Sequence, residues 1–296
     1  MLGALCAPAV LAAADKSESK VDLGWEYSLS TVAVRMPEVD LDGGGRTELE
    51  SYHFRAGMER YVSETTKLGL GMRYDAHERD FSGGEGFAAL EPWDRTYDFG
   101  ISGSVTQRTR IASFGFRPFV NWWSEDGDLN SDAMTYGAAI AAVAGFSSDR
   151  RIGLGVQVSR DIDDSSNLSP IVMVDWRIND HWAIGNPRET SFTAPAGLEV
   201  SYRHGKYWRF ALAGVYQSSE FRLDHSGVAP GGIGENEGIL TFLRITRRWP
   251  PGFSVHAYLG ATFNGELSVE NADGTTLAES DYDTAPLAAL SLEGSF

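Results

Sequence analysis

Apolar and polar residues alternate with a period of two along most of this chain, giving each strand one dry and one wet face. Tyr52, Phe54, Ala56 and Met58 alternate with His53, Arg55, Gly57 and Glu59. Leu68, Leu70, Met72 and Tyr74 do the same with Gly69, Gly71, Arg73 and Asp75. The pattern recurs with Tyr97, Phe99 and Ile101 against Asp98 and Gly100, and with Phe114, Phe116, Pro118 and Val120 against Arg117. Val172, Val174, Trp176 and Ile178 oppose Asp175 and Arg177; Leu198, Val200 and Tyr202 oppose Glu199 and Arg203; Trp208, Phe210 and Leu212 oppose Arg209. Later, Phe253, Val255, Ala257 and Leu259 oppose His256. The final stretch, residues 284–296, sets Leu290, Leu292 and Phe296 against Ser291, Glu293 and Ser295. Between Gly238 and Thr246 both faces look apolar, and Arg244 decides the orientation. A charge facing lipid costs about 2–4 kcal/mol, so Arg244 is expected to point inward.

The connections alternate short and long, and charge sorts with them. Arg108, Arg110, Arg150, Arg151, Arg203, Lys206, Arg247 and Arg248 sit at short turns. Glu38, Asp40, Asp42, Glu125, Asp126, Asp128, Asp132, Asp161, Asp163 and Asp164 sit in loops at the other ends, including an expected loop over residues 35–46 and another over residues 77–93. Aromatic residues gather at both strand ends, as two interfacial girdles require. The fold predicted is all-β: an antiparallel transmembrane β-barrel of about 12 strands with short periplasmic turns and long acidic extracellular loops. The stretch 181–195 holds two prolines. As a short hairpin it gives about 14 strands; dipping into the lumen it leaves about 12.

Length and charge narrow the classes. The chain has 296 residues, 22% charged and 42% hydrophobic, with a net charge of −16, which speaks against a nucleic-acid partner. Residues 1–14 form a short apolar segment ending in three alanines, as a signal peptide does, although the usual basic start is missing. A short periplasmic segment, 15–21, and a barrel over 22–296 complete the expected organisation. Cleavage after Ala14 removes Cys6 and with it disulfide, thiolate-metal and thiol chemistry. No cofactor is expected.

Together, the signal-like start, the alternating segments and the terminal phenylalanine resemble the outer-membrane β-barrel proteins of Gram-negative bacteria. The stretches D-H-W-A-I, A-P-A-G-L-E-V-S-Y-R, K-Y-W-R-F and F-R-L-D between Asp180 and Asp224, with the closing A-P-L, are similar to a group of uncharacterised barrels of this size. The resemblance implies outer-membrane lipid as surroundings and the barrel-assembly machinery as partner. Leu290, Leu292 and Phe296 look like the terminal signal which that machinery reads.

Candidate chemistry lies on the wet face. Arg55, Glu59, Arg73, Asp98, Arg117, Asp175, Arg177, Glu199, Arg209, Arg244, His256 and Glu293 are expected to face the lumen. They suit either a porin-like, water-filled path whose charges select small solutes or ions, or an ion-pair network that fills a structural or adhesive barrel. Asp126, Asp128, Asn130 and Asp132 have the opening spacing of a calcium loop, but Ser131 and Gly137 break the rest of the pattern. Acidic loops of this kind are still able to hold divalent cations. A hydrolytic barrel needs a nucleophile, a base and an orienting acid together. Asp224-His225-Ser226, or Asp75 and His77 with Glu78, are the runs to test for that geometry.

Overall fold

The computed structural model describes residues 24–147, 149–163, 165–187, 192 and 196–296; the expected leader 1–14 and segment 15–21 lie outside them. The strands run as an antiparallel meander through β1 (Trp25–Asp40), β2 (Arg46–Tyr61), β3 (Thr66–Ser82), β4 (Arg95–Arg108) and β5 (Ala112–Ser124). They continue with β6 (Met134–Ser147), β7 (Arg150–Arg160), β8 (Ser166–Arg177), β9 (Trp182–Gly185) and β10 (Gly197–His204). The last five are β11 (Trp208–Arg222), β12 (Ile233–Trp249), β13 (Phe253–Glu270), β14 (Thr276–Tyr282) and β15 (Ala285–Ser295). β15 pairs with both β1 and β13, and β13 with β12, so fourteen strands close into a ring with β14 outside it. The main expectation of about 12 strands is therefore corrected to the alternative of 14. The four residues of β9 are enough to bridge β8 and β10 at the short-turn end.

Closure brings the first and last strands together. Phe296 N–H donates to Tyr27 O (2.9 Å) and Tyr27 N–H to Phe296 O (3.0 Å), extending the β1–β15 ladder to the last residue. Turns of two to four residues lie at this end, which we call inner, and connections of five to twelve at the outer end. Leu29, Leu70, Ile101, Phe116, Ile140, Leu154, Val172, Leu212, Leu243, Leu259 and Leu290 stand exposed around the outside. A continuous apolar belt of this extent belongs against lipid, where closing the ring pairs the backbone groups of one strand with those of the next along most of the wall.

Toward the outer end the polarity of the two faces reverses. Outside, β2 passes from Phe54 and Tyr52 to Glu50 and Glu48, and β3 from Met72 and Tyr74 to Glu78 and Asp80. Exposed ion pairs Arg35–Glu50 (3.6 Å), Arg46–Glu38 (2.5 Å) and Arg95–Glu78 (2.5 Å) form above the belt. Inside, Met36, Val39, Leu41, Phe87, Trp93, Phe221, Leu223, Leu267, Val269 and Tyr282 build one buried core, with Phe81 and Trp123 against it. The expected loop over residues 35–46 shrinks to 41–45 for this reason: Val39 and Leu41 need an extended backbone to reach that core. The loop expected over residues 77–93 likewise begins only after Ser82, and carries a 3-10 turn at Gly86–Leu90 that delivers Phe87 to the core.

On β13 the reversal needs a change of phase. Pairing passes from Thr262↔Ala285 to Gly265↔Tyr282, and Asn264 takes φ +49°. The bulge turns the buried positions from His256 and Tyr258 to Leu267 and Val269, one residue out of step. Gly265 is required there, because a Cβ would lie 2.0 Å from the Tyr282 ring.

One part of the wall is not continuous. β8 meets β9 only through Asp175, Trp176 and Arg177, and β10 begins at Gly197, opposite Val215 of β11. Asn186 continues the seam briefly, accepting from Val174 N (2.7 Å) and donating to Val172 O (3.2 Å). Beyond it, among the described residues, the outer half of β8 has no strand partner on that side.

The two exposed leucines Leu259 and Leu277 separate lipid from water. Leu259→Arg is expected to destabilise the barrel in lipid by about 2–4 kcal/mol, and Leu277→Arg, beside Glu279 and Asp281, by less than about 0.5 kcal/mol. Denaturant titrations in liposomes measure both.

Candidate functional site: the lumen

The ring encloses a cavity of about 570 Å³, lined mainly by β1 to β5 and the outer parts of β11 to β13. Strand register stacks its side chains in rows. One row reads Arg55, Arg73, Gly100 and Asn121 across β2 to β5; the next outward reads His53, Asp75, Asp98 and Trp123. Like charges stand side by side within a row, and each finds its opposite in the next. Arg55 donates to both carboxylate oxygens of Asp75, one of them at 2.8 Å, and Arg73 pairs with Asp98 at 2.6 Å. Gly100 leaves the room this needs, since a Cβ there would lie 2.8 Å from Arg73 Nε. His53 Nδ1 lies 3.0 Å from Asp75 Oδ1, and in the row above Ser51 Oγ lies 2.9 Å from His77 Nδ1.

The opposite half of the lumen is filled. Arg244, 1% exposed, donates to Glu199 at 2.7 Å. His256 is fully buried between Thr246 Oγ1 (2.9 Å), Ser254 Oγ (3.1 Å) and Glu293 (3.2 Å). Phe192 also reaches the interior, where its ring meets His53, Phe242 and Tyr258, and its carbonyl accepts from Gln217 at 3.3 Å. Of the two outcomes weighed for residues 181–195, the count of 14 holds, through the single short strand β9 rather than a hairpin, and Phe192 reaches the interior without reducing the count to 12.

At the outer end the cavity meets the aromatic core, where Trp93 packs on Phe221 (5.0 Å) and Phe81 (5.6 Å). Arg222 and Glu125 tie the outer loops together at this end. Arg222 spans it, donating to the carbonyls of Asp132 (2.9 Å), Gly231 (3.0 Å) and Ile162. Glu125 N–H donates to Arg222 O (2.9 Å), and the Glu125 carboxylate accepts from Asp224 N (3.1 Å). Burial outweighs that last bond and, with the charge of Asp224 nearby, pushes the Glu125 carboxyl up to about 7.

No family model and no curated protein matches the sequence. Among solved structures, an outer membrane channel from Pseudomonas putida F1 superimposes with a TM-score of 0.51 at 9% identity, over 96% of this chain and 100% of that one. This chain has the fold of an outer-membrane β-barrel. The Pseudomonas putida toluene transporter TodX aligns with a TM-score of 0.47 at 7% identity, over 92% of this chain and 89% of that one. At such identities the likeness is one of fold alone.

Six of the twelve residues expected to face the lumen line the cavity: Arg55, Glu59, Arg73, Asp98, Arg117 and Glu293. Arg117 donates to Ser102 Oγ at 3.1 Å, and Glu59 pairs with Lys67. Glu199, Arg244 and His256 belong to the filled half. Asp175 pairs with Arg151 at 3.2 Å. Arg177 stands at the inner rim, 57% exposed beside Asp149, and Arg209 lies half-buried opposite Arg203 and Thr246. Leu290, Leu292 and Phe296 are exposed on the outer wall.

The hydrolytic runs do not assemble. Ser226 Oγ donates to Asp224 at 2.7 Å rather than to His225, and Glu78 faces outward to Arg95 while Asp75 and His77 face inward. Asn130 Oδ1 accepts from Asp132 N and Ala133 N, as an ordinary Asx turn does. Among the described residues no group of three or more potential ligands forms a metal site. Ser51, Arg79 and Phe192 were not singled out. The first two lie in the reversed part of the strands, and Phe192 lies between prolines in a stretch without alternation.

Two predictions follow from these pairs. Arg244→Met strands a buried carboxylate and costs about 3–5 kcal/mol, and adding Glu199→Leu recovers most of it, as read by urea unfolding. The raised Glu125 carboxyl stabilises the closed outer end fully below about pH 4.5 and loses this as pH rises through about 7. Hydrogen exchange over residues 222–232, corrected for its intrinsic pH dependence, is expected to be slower at about pH 5 than at about pH 8, and Glu125→Gln reduces the difference.

Proposed function

We propose that this barrel stands in an outer membrane and passes small solutes inward, with the lumenal cavity as their holding point and the aromatic core as its outer gate. The cavity carries the reading: about 570 Å³ of space walled by charged and aromatic side chains inside a closed ring. Fourteen strands make a ring wider than the roughly eight whose side chains fill the interior, and wider barrels enclose ligand cavities or channels. The Pseudomonas putida protein of the same fold is described as a channel, which supports the same direction. Arg55, Arg73 and Arg117 with Asp98 and Glu59 are proposed to set which solutes stay.

A second route is favoured by the interrupted seam between β8 and β10, which Asn186 bridges to Gly197 O at 3.1 Å and from whose connecting stretch, among the described residues, only Phe192 lines the cavity. On this route an apolar solute leaves the cavity past Phe192 and sideways into lipid, without crossing the outer end. A barrel with a structural or adhesive role is the remaining alternative, and the filled half around Arg244 is what favours it.

Currents through the refolded protein in planar bilayers distinguish the three. For axial passage, a small current is expected in the wild type. It rises at least about twofold on Trp93→Ala, which opens the apolar constriction, and its ion preference shifts toward cations on Arg117→Ala. No current in either form, with accelerated uptake of a neutral dye by proteoliposomes, selects the lateral route. Absence of both current and uptake contradicts passage altogether.

A further inference from the structure

Three arginines in the lumen have carboxylate partners: Arg55 with Asp75, Arg73 with Asp98 and Arg244 with Glu199. Arg79 differs. It is 4% exposed, and its Nη1 donates to Thr47 Oγ1 at 3.3 Å, yet no carboxylate of the described residues lies within ion-pair distance of it. A buried guanidinium without a counter-charge is one of the more costly arrangements a protein holds. Its surroundings explain why no internal acid approaches, for Arg79 sits at the junction of the polar rows and the apolar core and lines the cavity.

A second unsatisfied donor lies on the same wall. Trp123 Nε1 is buried with no hydrogen-bond partner, and the Trp123 ring stacks on His77 at 5.7 Å. His77 and Arg79 are successive inward positions of β3, so the two donors flank one histidine. The other polar groups close by are occupied: His77 meets Ser51, and Tyr282 Oη donates to Asn236 at 3.2 Å. What this end of the cavity lacks is therefore an acceptor with negative charge. What lines this end besides is aromatic: Trp93, Trp123 and Phe221, at the edge of the buried core.

We propose that the outer end of the cavity is a binding site for a small aromatic carboxylate, which supplies the counter-charge of Arg79 and lays its ring among Trp93, Trp123 and Phe221. A carboxylate accepts only, and it meets a guanidinium through two parallel hydrogen bonds, so charge and geometry are matched together. A neutral aromatic leaves Arg79 as it is; an inorganic anion leaves the aromatic surface uncovered. The assignment rests on the cavity as a ligand site and not on solute passage, and it is tested without a membrane.

Calorimetry on the full refolded chain in detergent, with benzoate, benzamide and inorganic phosphate as probes, gives the answer. Benzoate is expected to bind one site, at least about tenfold more tightly than benzamide or phosphate. Arg79→Gln is expected to remove that advantage, leaving benzamide unchanged, and Arg79→Lys to keep part of it. No benzoate binding, equal affinity for benzoate and benzamide, equal affinity for phosphate, or an unchanged benzoate affinity in Arg79→Gln overturns the assignment. Where Arg79→Gln does not fold, the wild-type ratio of benzoate to benzamide decides alone. Benzoate binding without any bilayer current leaves the site standing and removes axial passage; current without benzoate binding does the reverse.

Discussion

Every feature of this barrel depends on which solvent touches each face of its strands. Over the belt the outside is lipid, and only a closed ring pairs all backbone groups there. That single condition fixes the orientation of Arg244, the exposure of Leu243 and Leu259, and the pairing of Tyr27 with Phe296 that completes the ring. Above the belt the outside is water, and the same strands obey the opposite rule. Glu48, Glu50, Glu78 and Asp80 turn out, and the lumen fills with aromatic rings.

The cavity runs along the polar part of the lumen, from Glu59 and Glu293 up to the level where the two regimes meet. Below that junction, many inward positions are charged and pair from one row to the next; above it they are apolar and pack. Arg79, His77 and Trp123 all stand at this level. The bulge at Asn264 and the glycine at Gly265 are the local cost of changing phase on β13, where a uniform alternation would bury the wrong side chains.

The sequence carried the barrel because alternation is a strong signal where one face meets lipid and the other water. Tyr52 to Met58 and Leu68 to Tyr74 fix their strands and faces without help. The strand count was less legible. β9 has four residues, too few for a periodic signal, and its place in the ring comes from pairing with Asp175–Arg177 and with β10. Residues 35–46 and 77–82 read as loop because their charges suit a loop as well as they suit a strand standing in water. The lumenal charges were found individually, but not their partners: whether Arg73 meets Asp98 or Asp75 depends on register, which alternation leaves open.

Spin labels placed singly at Leu259, Leu290, Leu277 and Glu279 in the liposome-embedded barrel test the central claim most directly. Collision rates with oxygen report lipid, and those with a water-soluble nickel chelate report water. The account predicts labels at Leu259 and Leu290 that meet oxygen and are shielded from nickel, and labels at Leu277 and Glu279 with the opposite behaviour. Nickel reaching Leu259 and Leu290, or lipid-like rates at Leu277 and Glu279, contradicts it.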